Sequence, residues 1–287
     1  MKLSSAFSSR ISAAPPHLWF VVSAIFHYLG PSFAVLLFDQ IDVLGVAWFR
    51  IASAAVVFAF WTKPWRTFRS ANRETVILLL LLGACLALMN SAFYLAIDRL
   101  PLSLVAAMEF VGTITVALLG LRAMRNYAAL ALAVVGVMTL IDIRWSNDLL
   151  GLSFAIVNAL LFVTYIILGH RISQQGASEG VGRLGAAMAA AFIFVMPIGI
   201  QDAIAAFASP ILILAGIGVG ISSSVVPYVC DQLAMSQLSR NSYALLLALL
   251  PATAAIVGAV VLGQIPTLRD ICGILLVIAG VAIHKLG

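Results

Sequence analysis

Arg50 and Glu109 are each the only charged residue in a long apolar run, 43–62 and 102–121 respectively. An ionisable group held in such surroundings is costly, and it usually belongs to a functional site. Each stands seven positions from the start of its run, which on a helix is a depth of roughly 10 Å. Equal depth allows an Arg50–Glu109 ion pair if the two runs are neighbours. Otherwise Arg50 braces helices through Asp39, Asp42 or backbone carbonyls, and Glu109 faces a wet cavity. A carboxylate there could attract an ammonium group, or carry a proton if burial made it easier to protonate.

Further polar groups sit in other apolar runs. Asn90 and Tyr94 are four residues apart and share a helix face, beside Ser91. They could hydrogen-bond a ligand's ammonium or carboxylate, or bridge two helices. Ser23, His27 and Gly30 fall on one stripe with Tyr28 beside it; His27 is an interhelical donor or a proton carrier. Asn158, Phe162 and Tyr165 are spaced for one face. Ser222-Ser223-Ser224 precede Pro227, Tyr228, Asp231 and Gln232. Proline removes a backbone donor and loosens the preceding turn, and serine hydroxyls can satisfy the carbonyls it frees. A hinge or broken helix is therefore expected at Pro227, and similarly at Pro251, while Pro31 shapes a helix end. Ser224 and Tyr228 join the candidate path. Asp231, near the end of its run, is read as solvated.

The elements that must position these groups are membrane spans. The chain has 287 residues, of which 63% are hydrophobic and 9% charged, and its mean hydropathy is +1.13. A soluble domain of this size cannot hide so much apolar surface; lipid must be its solvent. One crossing takes roughly 20 helical residues, which predicts ten spans: 17–38, 43–62, 75–98, 102–121, 126–142, 149–170, 182–200, 211–236, 241–263 and 268–286. The runs are unbroken and rich in Leu and Ala, unlike the alternating strands of a β-barrel.

The basic residues orient these spans. Lys2, Arg10, Lys63, Arg66, Arg69, Arg73, Arg122, Arg125, Arg171, Arg183, Arg240 and Lys285 fall on one side, and Arg99, Arg144 and Arg269 on the other. This positive-inside bias predicts that both termini are cytoplasmic. It also explains the formal charge of +5 without nucleic acid. Residues 1–16 read as a cytoplasmic lead. Cys85, Cys230 and Cys272 all lie in spans and read as small buried hydrophobes, with no disulfide or metal framework.

The chain also resembles itself. At an offset of 138, Leu95-Ala96, Leu100, Ala106, Thr115, Ala117 and Gly120 match Leu233-Ala234, Leu238, Ala244, Thr253, Ala255 and Gly258. The predicted architecture is an all-α polytopic membrane protein made of two five-helix repeats, 17–146 and 147–287. An odd number of spans per repeat inverts the second copy, as in many secondary transporters whose substrate site lies between the halves.

No enzyme signature is present: there is no H-E-x-x-H and no G-x-S-x-G. Gly216-Ile217-Gly218-Val219-Gly220 lies within a span without a phosphate-loop context, so it reads as a close helix contact.

These residues resemble the EamA-type branch of the drug/metabolite transporter superfamily. The match is carried by Ala47-Trp48-Phe49-Arg50, Lys63-Pro64-Trp65-Arg66, Met89-Asn90 with Phe93-Tyr94-Leu95, Pro101-Leu102 with Glu109-Phe110, Val226-Pro227-Tyr228, Pro251-Ala252 and Leu262-Gly263. Within it, the chain is most similar to bacterial threonine/homoserine exporters and, more loosely, to aromatic amino-acid exporters. Thr113 stands where such chains often have Pro, and Gln264 where they have Glu. The resemblance implies a central cavity lined by spans one, three, four, six, eight and nine. It implies a non-enzymatic, cofactor-free exporter of amino acids and related metabolites in a bacterial inner membrane. Its partners would be a small-molecule substrate and the bilayer, with no oligomeric state specified. Drugs or other metabolites are the alternative cargo, and an intramembrane sensor or enzyme is the rival class.

Overall fold

The computed structural model describes residues 15–118, 124–140, 148–174, 176–263 and 267–283. The protein is an all-helical, multi-pass membrane protein. Its helices are α1 (Pro16–Val35), α2 (Val43–Thr62), the short α3 (Pro64–Ser70), α4 (Arg73–Ile97), α5 (Leu102–Leu118), α6 (Met124–Leu140), α7 (Leu149–Ser173) and α8 (Ala177–Ala203). After a 3-10 turn come α9 (Pro210–Gly220), a π-helical turn (Ile221–Val225), α10 (Val226–Met235), α11 (Arg240–Leu246), α12 (Leu249–Val261) and α13 (Leu268–Ile283). Among the described residues, seven helices are long and apolar enough to cross a membrane. Expected spans four, five and ten are represented by α5, α6 and α13, of 17, 17 and 16 residues. Large apolar side chains such as Phe60, Ile193, Ile211 and Val260 point outward, as they do when lipid is the solvent.

Local chemistry sets the helix ends. Asn72 caps α4 by accepting from the Thr75 N–H at 2.9 Å, and Asp148 caps α7 by accepting from the Gly151 N–H at 2.8 Å. Arg99 reaches the same Asp148 at 3.2 Å, tying the α4–α5 connection to the start of α7. The Gly151 N–H, and then Arg99, hold the Asp148 carboxyl below the usual aspartate range. Lys63 takes the left-handed conformation (φ 52°) that ends α2 and turns the chain into Pro64.

The principal packing is α2 along α8, α6 along α13, and α4 against α7 and α8. In addition, α1 lies against α10, the π turn and α12; α9 lies on α2; and α5 lies against α7, α11 and α12. Close backbone approach requires glycine at Gly30, where a Cβ would overlap the side chain and backbone of Ser223. Gly216 and Gly220 likewise let α9 settle against Phe49 and Ser53 of α2, the close contact expected from their spacing.

The ninth run is two helices, broken at Leu247–Ala248 just ahead of Pro251, where a hinge or broken helix is expected. Two local expectations are corrected. Pro31 lies inside α1 rather than at its end. Cys272 is exposed, while Cys85 and Cys230 are buried as expected. The expected N-terminal lead up to residue 14, the connection 141–147 and Gln264 lie outside the described residues.

Candidate functional site

The site begins with the missing N–H of Pro227. In a regular helix that N–H would bond the carbonyl four residues back, at Ser223. Proline cannot make the bond, and the chain relaxes into the π turn Ile221–Val225. The freed Ser223 carbonyl accepts from Arg50 Nη2 at 2.8 Å. Arg50 Nε donates to Ser224 Oγ at 2.9 Å, and Nη2 also lies 3.5 Å from the Tyr228 hydroxyl. The guanidinium carbon sits 5.4–6.0 Å from the ring centroids of Phe93, Tyr94 and Tyr228, close enough for cation–π attraction. The Tyr228 hydroxyl donates onward to Asn90 Oδ1 at 3.1 Å, and Asn90 Nδ2 is held by the Leu86 carbonyl at 2.6 Å.

A second cluster forms around Glu109. Its Oε1 accepts from Asn158 Nδ2 at 2.8 Å, and its Oε2 from the Tyr28 hydroxyl at 3.1 Å. Three helices, α5, α7 and α1, thus converge on one carboxylate. Arg50 and Glu109 are each 2% exposed, and Asn158 is fully buried. The ion pair that equal depth allowed is not formed, because each charge is committed to other partners, Arg50 to a backbone carbonyl among them. Between the clusters stands His27. Its ring packs against Tyr28, Phe162 and Tyr228 at centroid distances of 5.6–6.4 Å.

A third cluster gathers around Asp231, which is 3% exposed rather than solvated. It accepts from Ser23 Oγ and, at 2.8 Å, from the Tyr165 hydroxyl. The Tyr243 hydroxyl faces the same carboxylate. Tyr165 therefore belongs with Asp231, while Asn158, on the same face of α7, belongs with Glu109. The Tyr165 ring packs 5.4 Å from Tyr228, which links this cluster to Arg50.

Most of the groups singled out from sequence therefore lie in one connected buried region: His27, Arg50, Asn90, Tyr94, Glu109, Asn158, Tyr165, Ser224 and Tyr228. Pro227 enters it through the carbonyl it frees. Pro251 does not; it lies in the first turn of α12, just past the break at Leu247–Ala248. Sequence reasoning missed the roles of Tyr28, Asp231 and Tyr243. A usable signal existed for Asp231, an acid still inside an apolar run. None existed for Tyr243, whose role depends on where α11 docks. Several buried polar atoms lack a hydrogen-bond partner: Tyr94 Oη, Ser223 Oγ and Asn158 Oδ1 are among them. An arrangement of this kind can take a small polar molecule carrying both donors and acceptors.

The chain is similar to several known proteins. Residues 149–284 match the EamA-like transporter family. The chain is 31% identical over 253 residues to the threonine/homoserine exporter RhtA of Salmonella typhimurium (strain SL1344), covering 87% of this chain and 84% of that protein. It is 33% identical over 239 residues to the threonine/homoserine exporter RhtA of Escherichia coli (strain K12), covering 82% and 79%. One protein of known crystal structure shares the fold, with a TM-score of 0.67 over 94% of this chain and 97% of its own, at 14% identity.

Proposed function

The chain belongs to the EamA-like transporter family and is a membrane transporter, not an enzyme; from that premise we propose that it exports amino acids and related small metabolites across a bacterial inner membrane by alternating access. The observation that carries this reading is the buried Glu109 carboxylate. It is held by Tyr28 and Asn158, with the Asn158 Oδ1 acceptor unpartnered beside it. A carboxylate and an amide oxygen with spare acceptor capacity suit an ammonium group. The RhtA relatives, named as threonine/homoserine exporters, favour those two amino acids as the first to try.

Two inverted five-helix repeats, 17–146 and 147–287, give this mechanism its moving parts. The neighbour pattern supports them. When spans one to five are exchanged with six to ten, α2–α8, α6–α13 and the packing of α5 on α11 and α12 map onto themselves. The pairs α4–α7, α4–α8 and α5–α7 map onto α10–α1, α9–α2 and α12–α1. Asn90 and Tyr228, which bond to each other, are separated by the same offset of 138 that aligns the halves. The path would run through the central groups from cytoplasm to exterior, with both termini cytoplasmic.

The test is flux of radiolabelled amino acids in proteoliposomes holding the full chain, with threonine, homoserine, phenylalanine, tyrosine and tryptophan in turn. Saturable flux of at least one is expected. Absence of saturable flux for every amino acid removes this substrate class.

A further inference from the structure

Arg50 is a buried cation that touches no carboxylate among the described residues. Its Nε and Nη2 are used by Ser224 Oγ and the Ser223 carbonyl, and the rings of Phe93, Tyr94 and Tyr228 surround it. None of these partners carries a negative charge, and among the described residues Nη1 makes no hydrogen bond. Among the described residues, the two buried acids are engaged elsewhere: Glu109 with Tyr28 and Asn158, Asp231 with Ser23 and Tyr165. Leaving a buried charge without a counter-charge in contact is expensive, and neutral dipoles offset only part of that cost.

Beside this guanidinium stand two hydroxyls, Tyr94 Oη and Ser223 Oγ. Both belong to residues with no exposed surface, and neither has a hydrogen-bond partner. The Tyr94 hydroxyl approaches both Ser223 and Arg50 but meets strict hydrogen-bond geometry with neither. One cation and two free donors thus converge on one place. The Glu109 end of the region is the opposite, rich in acceptors. The two ends are separated by the ring of His27 rather than joined in an ion pair.

We infer that Arg50, Tyr94 and Ser223 form the end of the substrate site that binds a carboxylate, so that the transported molecule must carry both an ammonium and a carboxylate. The planar guanidinium fork suits a carboxylate better than any neutral group, and the two hydroxyls complete its hydrogen bonding. Pro227 is what makes the site possible. By freeing the Ser223 carbonyl it anchors one edge of the guanidinium and leaves Nη1 available. The inference deepens the amino-acid reading and rests on it.

The experiment is competition against labelled threonine flux in proteoliposomes of the full chain. The competitors are homoserine, which has both charged ends; threoninol, which keeps the ammonium and lacks the carboxylate; and N-acetylthreonine, which keeps only the carboxylate. Homoserine should compete well, and threoninol should need roughly 10–100-fold higher concentration, the scale of one lost charge-assisted pair. In Arg50→Gln the preference for homoserine over threoninol should fall below about 3-fold, while Arg50→Lys, which keeps the charge and loses the fork, should retain part of it. If labelled threonine moves but threoninol competes as well as homoserine in the wild type, the carboxylate site is overturned and the amino-acid reading stands. A folded Arg50→Gln that keeps the full preference also overturns it. If Arg50→Gln does not fold, the wild-type competition decides alone. If no amino acid moves, the underlying reading falls and this inference with it.

Discussion

Asp231 offers the sharpest check on the packing, because sequence and structure disagree about it. Replacing it with alanine removes the acceptor for the hydroxyls of Ser23 and Tyr165, and the group that Tyr243 faces. Ser23 keeps a partner, since its Oγ also reaches the Pro227 carbonyl at 3.2 Å. The two tyrosine hydroxyls are left buried without an acceptor, at about 1–3 kcal/mol each. The expected loss is therefore about 2–6 kcal/mol. Asp231→Asn retains one acceptor oxygen and adds a donor that a rotated hydroxyl can accept, so its cost should be about 1 kcal/mol. With about 2–4 °C of melting temperature per kcal/mol, the alanine variant should melt about 2–20 °C below the asparagine variant. A thiol-reactive fluorophore in detergent reads this directly in a Cys272→Ser background, because Cys85 and Cys230 are buried and react only on unfolding. An alanine variant that melts within about 1 °C of the parent would refute the buried cluster and return Asp231 to solvent.

Glu109→Gln keeps shape and removes charge; threonine flux should fall severely with membrane insertion and thermal stability normal, and wild-type flux across pH 5–8 would exclude Glu109 as ammonium partner or proton carrier. Pro227→Ala restores an N–H that competes with Arg50 for the Ser223 carbonyl, so the π turn should regularise and transport fall while the melting temperature holds or rises; unchanged flux would show that the broken helix is incidental. Gly30→Ala forces a methyl group into Ser223, with an expected cost of about 1–3 kcal/mol from overpacking, read as a drop in melting temperature. A cysteine at Ser146, in a background free of native cysteines, should react with an impermeant maleimide from outside intact cells; labelling only after lysis would mean an odd error in the number of spans before it.

Helix positions were legible because hydropathy reports the solvent a segment needs, and lipid demands an unbroken apolar run. The run 43–62 coincides with α2 (Val43–Thr62), and 75–98 lies close to α4 (Arg73–Ile97). The polar membership of the site was legible for the same reason: a charged or amide group that stays inside such a run must have a partner there. The choice of partner was not legible. Arg50 and Glu109 stand at equal depth in their runs, yet equal depth says nothing about rotation, and each residue of helix turns the side chain by roughly 100°. Glu109 faces α1 and α7, while Arg50 faces the π turn. That turn is itself a tertiary outcome. Pro227 announced a disturbance and fixed which carbonyl it would free, but only the approach of α1 at Gly30 and of α2 at Arg50 determined what filled the gap. An irregular turn changes the rotation of everything after it, so a carboxylate read as solvated at a span end instead points inward to Ser23 and Tyr165. Composition and spacing thus determined the class of protein, the positions of most of its helices and most of the polar groups at its centre. Tertiary packing decided which of those groups meet, because helix rotation and crossing are set by contacts between segments far apart in the chain.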